Sequence, residues 1–190
     1  MATPYQRLKR ETRGQAAVET ALLLPFLLSL AFNVVNFGYF FIVAVNLAAA
    51  PRSGVEYSIL GGATPGDLKL PAPGPTTTTT SVSYLTLNDL TGAISSGGSA
   101  EVQVCTAQAG TTGSGTSQKS VCNQYNSSPT YTVSADPEAP AFILNRVDVT
   151  YTFHPLIDQR LFNLILPSSL CSGSPVTCTF HRQVSMRSMN

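Results

Sequence analysis

Glu19 is the first residue whose chemistry stands out. It lies just ahead of an apolar run, residues 21–45, that holds no charged side chain. An ionised carboxyl at full membrane depth costs about 2.5–3.5 kcal/mol on insertion scales, so such a group calls for a partner or a role. A competing reading sets Glu19 at headgroup level, snorkelling to water and favoured by the positive end of a helix. Position alone leaves both open. The spacing is more informative: Glu19 is the fifth residue after Gly14, and Arg7, Lys9, Arg10 and Arg13 precede that glycine against one acid, Glu11.

The other residues able to do chemistry point away from catalysis. Cys105, Cys122, Cys171 and Cys178 form an even set, which in an oxidising compartment reads as two disulfides. Short loops close at least entropic cost, so Cys105 is expected to join Cys122, and Cys171 to join Cys178. No C-x-x-C occurs, and His154 and His181 do not follow ligand spacing, so neither metal nor other cofactor is expected. His154 stands beside Pro155 at a strand end. His181 falls on the polar parity of the last strand, next to Arg182, and both histidines read as structural or solvated. Asp136 and Glu138 flank Pro137, which is a turn rather than an acid/base pair. No nucleophile elbow, phosphate-cradling loop or H-E-x-x-H helix is present. The expectation is a protein that is not an enzyme and takes no small-molecule substrate.

The element that positions Glu19 is a membrane helix. Residues 21–45 would make roughly 37 Å of helix, more than the ~30 Å hydrocarbon core needs. That is too long for the ~7–15-residue apolar region of a removable secretory signal. Basic residues on its N-terminal side keep that end in the cytoplasm, with the remainder exported. Pro25, Asn33, Asn36 and Gly38 interrupt the run and suggest one face that packs on other helices. The helix is expected to reach about Ala50, with Pro51 a kink or the start of a further turn or two over residues 52–60.

These features together resemble type IV prepilin-like proteins, and more narrowly the TadE-like minor pseudopilins of tight-adherence (Flp) pilus systems. The matching residues are Arg13-Gly14-Gln15-Ala16-Ala17-Val18-Glu19, then Leu24-Pro25, Asn36-Phe37-Gly38, and Ala48-Ala49-Ala50 leading into Arg52-Ser53-Gly54. Thr20 stands where that family frequently has an aromatic, and Pro51 interrupts the alanine–arginine junction. The resemblance implies a processing site between Gly14 and Gln15, cut by a prepilin-type peptidase. It also implies that Glu19 contacts a partner pilin. A new amine at Gln15 would lie four residues before the carboxylate, and opposite charges on two subunits attract far more strongly in a low dielectric than in water.

Beyond the helix, charged residues are scarce. The whole chain is 11% charged, and from Pro51 onward it holds seven Lys/Arg against eight Asp/Glu. That balance offers no electrostatic footprint for nucleic acid. Residues 61–80 read as a Pro/Gly/Thr-rich linker. Residues 81–87 and 100–106 have the β-rich character of strands, residues 88–98 read as a turn with one helical turn, and residues 109–120 as a flexible Gly/Thr/Ser loop. Residues 126–128 match a glycosylation acceptor but are discounted, because so short a match arises readily by chance. Val147, Val149, Tyr151 and Phe153 alternate with Asp148, Thr150 and Thr152, the pattern of a half-buried antiparallel strand. Residues 156–166 show helix-like spacing. Val176, Cys178, Phe180, Val184 and Met186 share one parity and mark the last strand.

The expected fold is α+β and pilin-like, with a long N-terminal helix, membrane-spanning in its first half, and then a small antiparallel sheet. Its parts are a basic leader (1–14), the helix and its extension (15–60), the linker (61–80) and an extracytoplasmic β-rich domain (81–190). The resemblance implies a single-pass protein of the cytoplasmic membrane that assists pilus assembly by packing with other pilins or pseudopilins. The main alternative is an uncleaved single-pass protein displaying a binding or adhesin domain. Release by signal peptidase at Ala48-x-Ala50 is disfavoured by Pro51 and by the helix length, and a membrane-anchored enzyme has no motif behind it.

Overall fold

The computed structural model describes residues 4–60, 81–91, 99–125, 130–157, 171–172 and 177–189. One long helix, α1 (Pro4–Leu60), leads into α2 (Val82–Thr91) and five strands. The strands are β1 (Ser99–Thr112), β2 (Lys119–Tyr125), β3 (Phe142–Phe153), β4 (Cys171–Ser172) and β5 (Thr177–Met189). They form one antiparallel sheet in the order β2-β1-β3-β5-β4. The architecture is α+β, as the sequence predicts.

The core lies between α1 and one face of the sheet. Period-two alternation puts Val147, Val149, Tyr151 and Phe153 of β3 on that face, and all four are buried. Val102 and Val104 of β1 lie beside them, and Val43, Leu47, Ala50 and Val55 close the core from α1. Each fully buried valine or leucine contributes about 1.5–3 kcal/mol relative to exposure. The strand β3 runs antiparallel to the helix, so Phe153 meets Tyr39 and Phe40, with ring centroids 5.3 and 5.6 Å away. At the other end Asn145 donates to Ser58 Oγ at 3.2 Å and accepts from the Ala107 amide at 3.1 Å. One buried amide thus ties the end of α1 to β3 and β1.

Three expectations need correction. Residues 81–87 are not a strand: Ser81 caps α2, its Oγ accepting from the Tyr84 amide at 3.1 Å and its carbonyl from the Leu85 amide at 3.0 Å. The helix extends to Thr91, replacing the expected turn over its described part. Residues 109–120 are not a flexible loop, since β1 continues to Thr112 and pairs there with Lys119 of β2. A short 3-10 turn, Gly115–Ser117, closes this hairpin. Gly113 takes φ +85, and a Cβ there would press on the Ser117 carbonyl at 2.6 Å, so the turn requires glycine. The extension of α1 over residues 52–60 is present as expected, with the helix running unbroken through both Pro25 and Pro51. Finally, the polar face of β3 is not half-buried: Asp148 and Thr150 are buried too, for a reason given below.

The linker 61–80, the acceptor triplet 126–128 and most of the helix-like stretch 156–166 lie outside the described residues.

Candidate functional site

Helix α1 changes character at Asn36. Below it, residues 14–35 are exposed along nearly their whole circumference although most are apolar. Leu22, Leu23, Phe26 and Leu27 are all more than half exposed. At Asn36 the exposure falls to zero, and from there the helix packs on the sheet. Residues 15–35 span about 31 Å at ~1.5 Å per residue, close to the ~30 Å of a hydrocarbon core. Among the described residues this is one helix long and apolar enough to cross a membrane.

Gly14, Gln15 and Glu19 lie at the far end of that exposed stretch. The Gln15 amide donates to Glu19 Oε1 at 3.4 Å, one helical turn apart, and Glu19 faces outward. The Thr20 hydroxyl donates to the Ala16 carbonyl at 2.9 Å, so this threonine is spent on its own helix. A Cβ built on Gly14 meets nothing within 4 Å. The fold therefore has no need of glycine there. Glycine costs a helix about 1 kcal/mol relative to alanine, which makes this turn easier to open than its neighbours.

Gly38 is also open on all sides, nothing lying within 4 Å of a Cβ there. It sits on the face of α1 turned away from the sheet, between exposed Val34 and the exposed pair Phe41 and Val45. The spacing 34, 38, 41, 45, 48 alternates four and three, the period of a helix–helix seam. Further down, Thr20, Leu23, Leu24, Leu27, Leu28 and Ala31 line an apolar groove of about 400 Å³ along the turns around Pro25.

The four cysteines make two cross-strand bonds. Cys105 joins Cys122, its direct partner across β1 and β2, and Cys171 joins Cys178 across β4 and β5. The first lies toward the end of the sheet near Ser58, the second beside Phe153 near Asn36.

A buried polar cluster sits on the sheet face opposite α1, and sequence reasoning did not assemble it. Asp148 is fully buried and accepts from Arg146 Nε at 2.7 Å and Nη2 at 2.6 Å, and it bonds His181 Nε2 at 2.8 Å. Residues 146 and 148 share a face through the two-residue period, and β5 brings His181 alongside. The Tyr131 ring stacks on the His181 ring with centroids 3.8 Å apart, and its hydroxyl lies 3.0 Å from Thr150 Oγ1. The Gln103 side chain bonds the Tyr131 backbone on both sides, donating to its carbonyl at 2.6 Å and accepting from its amide at 2.7 Å. Arg146 also donates to the Thr132 carbonyl at 2.9 Å. The cluster thus fastens an extended segment over β3, which is why Asp148 and Thr150 are buried. The available signal was a carboxylate and an arginine two apart on the strongest strand, with a histidine on the polar parity of the last one.

Asp136 and Glu138 form a turn, as expected: Asp136 Oδ1 accepts from the Glu138 amide at 2.8 Å. Arg187 of β5 reaches both acids, at 2.9 and 3.3 Å. His154 is exposed just after β3. Among the described residues no group of three or more His, Cys, Asp or Glu is placed to hold a metal ion.

Comparison with known proteins gives one match. The model of the TadE-like protein family matches residues 14–55. No curated protein matches the chain, and no solved structure does. The matched stretch covers the exposed half of α1 and most of its packed half, so it is over the N-terminal helix that the chain is similar to the TadE-like family.

Proposed function

We propose that this protein is a minor pseudopilin that assists assembly of a tight-adherence pilus. In this reading α1 crosses the cytoplasmic membrane with its basic end inside, and a prepilin-type peptidase removes residues 1–14. The chain then works by packing its helix against other pilins, without enzymatic activity. The observation that carries the reading is the division of α1 at Asn36, a membrane-length exposed apolar half continuous with a half that packs on a sheet. The seam through Val34, Gly38, Phe41 and Val45 supports helix packing, since a glycine between large apolar residues lets a second backbone approach.

Glu19 supplies the test. After cleavage its carboxylate and a partner's N-terminal amine would attract across a low-dielectric gap, offsetting their desolvation and fixing the axial register of two helices. Glu19→Gln keeps the shape and deletes the charge. Membrane level should be normal while crosslinking to other pilins is lost. Unchanged crosslinking with normal pili would leave Glu19 as an interfacial residue and nothing more, whereas no crosslinking to pilins even in the wild type would favour the alternative, an uncleaved single-pass protein displaying an outer domain.

A further inference from the structure

The end of the sheet nearest the exposed half of α1 carries an arrangement that helix packing does not use. The chain leaves β3 at Phe153 and turns through His154, Pro155, Leu156 and Ile157. Asn36 clamps this turn: its Nδ2 donates to the Ile157 carbonyl at 2.8 Å, and its Oδ1 accepts from the Ile157 amide at 3.0 Å. Asn36 is fully buried by the contact, while Leu156 is left 56% exposed. The turn therefore sits level with the residue at which the membrane-length stretch of α1 ends.

We infer that this turn is a second membrane contact, seating Leu156 in the lipid leaflet next to the domain. The inference rests on α1 spanning the bilayer, and the partner is the lipid surface itself. Two physical points carry it. Backbone polar groups that enter lipid must be satisfied within the protein, and the Asn36 amide satisfies both the N–H and the C=O of the residue after Leu156. The clamp also holds an exposed leucine beside Asn36, at the level where the exposed apolar stretch of residues 14–35 ends. A helix alone leaves the domain free to rotate and tilt. A second contact off the helix axis fixes how the sheet faces the membrane, and with it the direction in which the Val34–Val45 seam points.

The chain contains no tryptophan, so single reporters can be placed without background. Leu156→Trp, Phe26→Trp and Thr112→Trp would each be made in the full chain. Each would be reconstituted into phosphatidylethanolamine/phosphatidylglycerol vesicles whose acyl chains carry bromine. Thr112 is exposed at the far tip of the β1–β2 hairpin and reports the region away from lipid. Expected are strong quenching and a blue-shifted emission for Trp introduced at positions 26 and 156, and neither at 112. Adding Asn36→Ala to Leu156→Trp should weaken quenching at 156. Quenching at 26 without quenching at 156 overturns the inference while leaving the span intact. No quenching at either position removes the span, and the inference with it. Full quenching at 156 despite Asn36→Ala contradicts the clamp.

Discussion

Gly54 of α1 and Thr86 of α2 approach so closely that a Cβ at position 54 would run into the Thr86 hydroxyl. The same Cβ would lie 3.3 Å from Val147 Cγ1. That hydroxyl is held in place by its bond to the Val82 carbonyl at 2.7 Å, so it cannot simply swing aside. Gly54 is thus required by packing, whereas Gly14 is not.

Gly54→Ala should destabilise the domain by about 1–3 kcal/mol, the usual cost of overpacking a tight core. Thr86→Ala in the same chain removes the obstructing oxygen and should restore most of the loss. Denaturant midpoints of the single and double variants in detergent would check this. An unchanged midpoint for Gly54→Ala would contradict the helix–helix contact.

Asp148→Asn should cost about 3–5 kcal/mol, because it leaves Arg146 without its buried carboxylate. The segment around Tyr131 should lose protection first in hydrogen exchange, since Arg146 and His181 both hold it down. Protection confined to its wild-type pattern would show that the cluster does not fasten the segment.

Tyr151 offers a pH signature. Burial, reinforced by the Tyr39 hydroxyl, raises its pKa well above the ordinary 10.0. The folded state therefore holds that proton more tightly than the unfolded chain. Its contribution is complete below pH 10 and is lost as pH rises beyond that value. Tyr151→Phe should flatten the fall in stability above pH 10. A tyrosinate titration of the folded wild type should show a late component that the variant lacks. Equal alkaline slopes for the two proteins would contradict this.

Much of this molecule can be read in its sequence, and the failures have a common cause. The exposed half of α1 declares itself because a long run without charge has few other uses, but its end at Asn36 does not, since residues 36–45 are as apolar and pack on the sheet instead. The strands β3 and β5 declare themselves through clean alternation. The stretch at α2 misleads because Val82, Thr86 and Leu90, the residues α1 buries, fit a parity-two pattern and a helical face equally well. Packing on α1 and the Ser81 cap decide it. The Asp148 cluster stayed hidden because Tyr131 and Gln103 lie 28 residues apart in the chain, and only the sheet register brings His181 to Asp148.

The measurement closest to the central claim is the intact mass and N-terminal sequence of the protein extracted from membranes that contain an active prepilin-type peptidase. The expected mature chain begins at Gln15. Gly14→Val, which changes a residue with open space around it, should leave the fold intact and retain residues 1–14. A wild-type chain that keeps residues 1–14 beside the active peptidase would contradict the pseudopilin assignment.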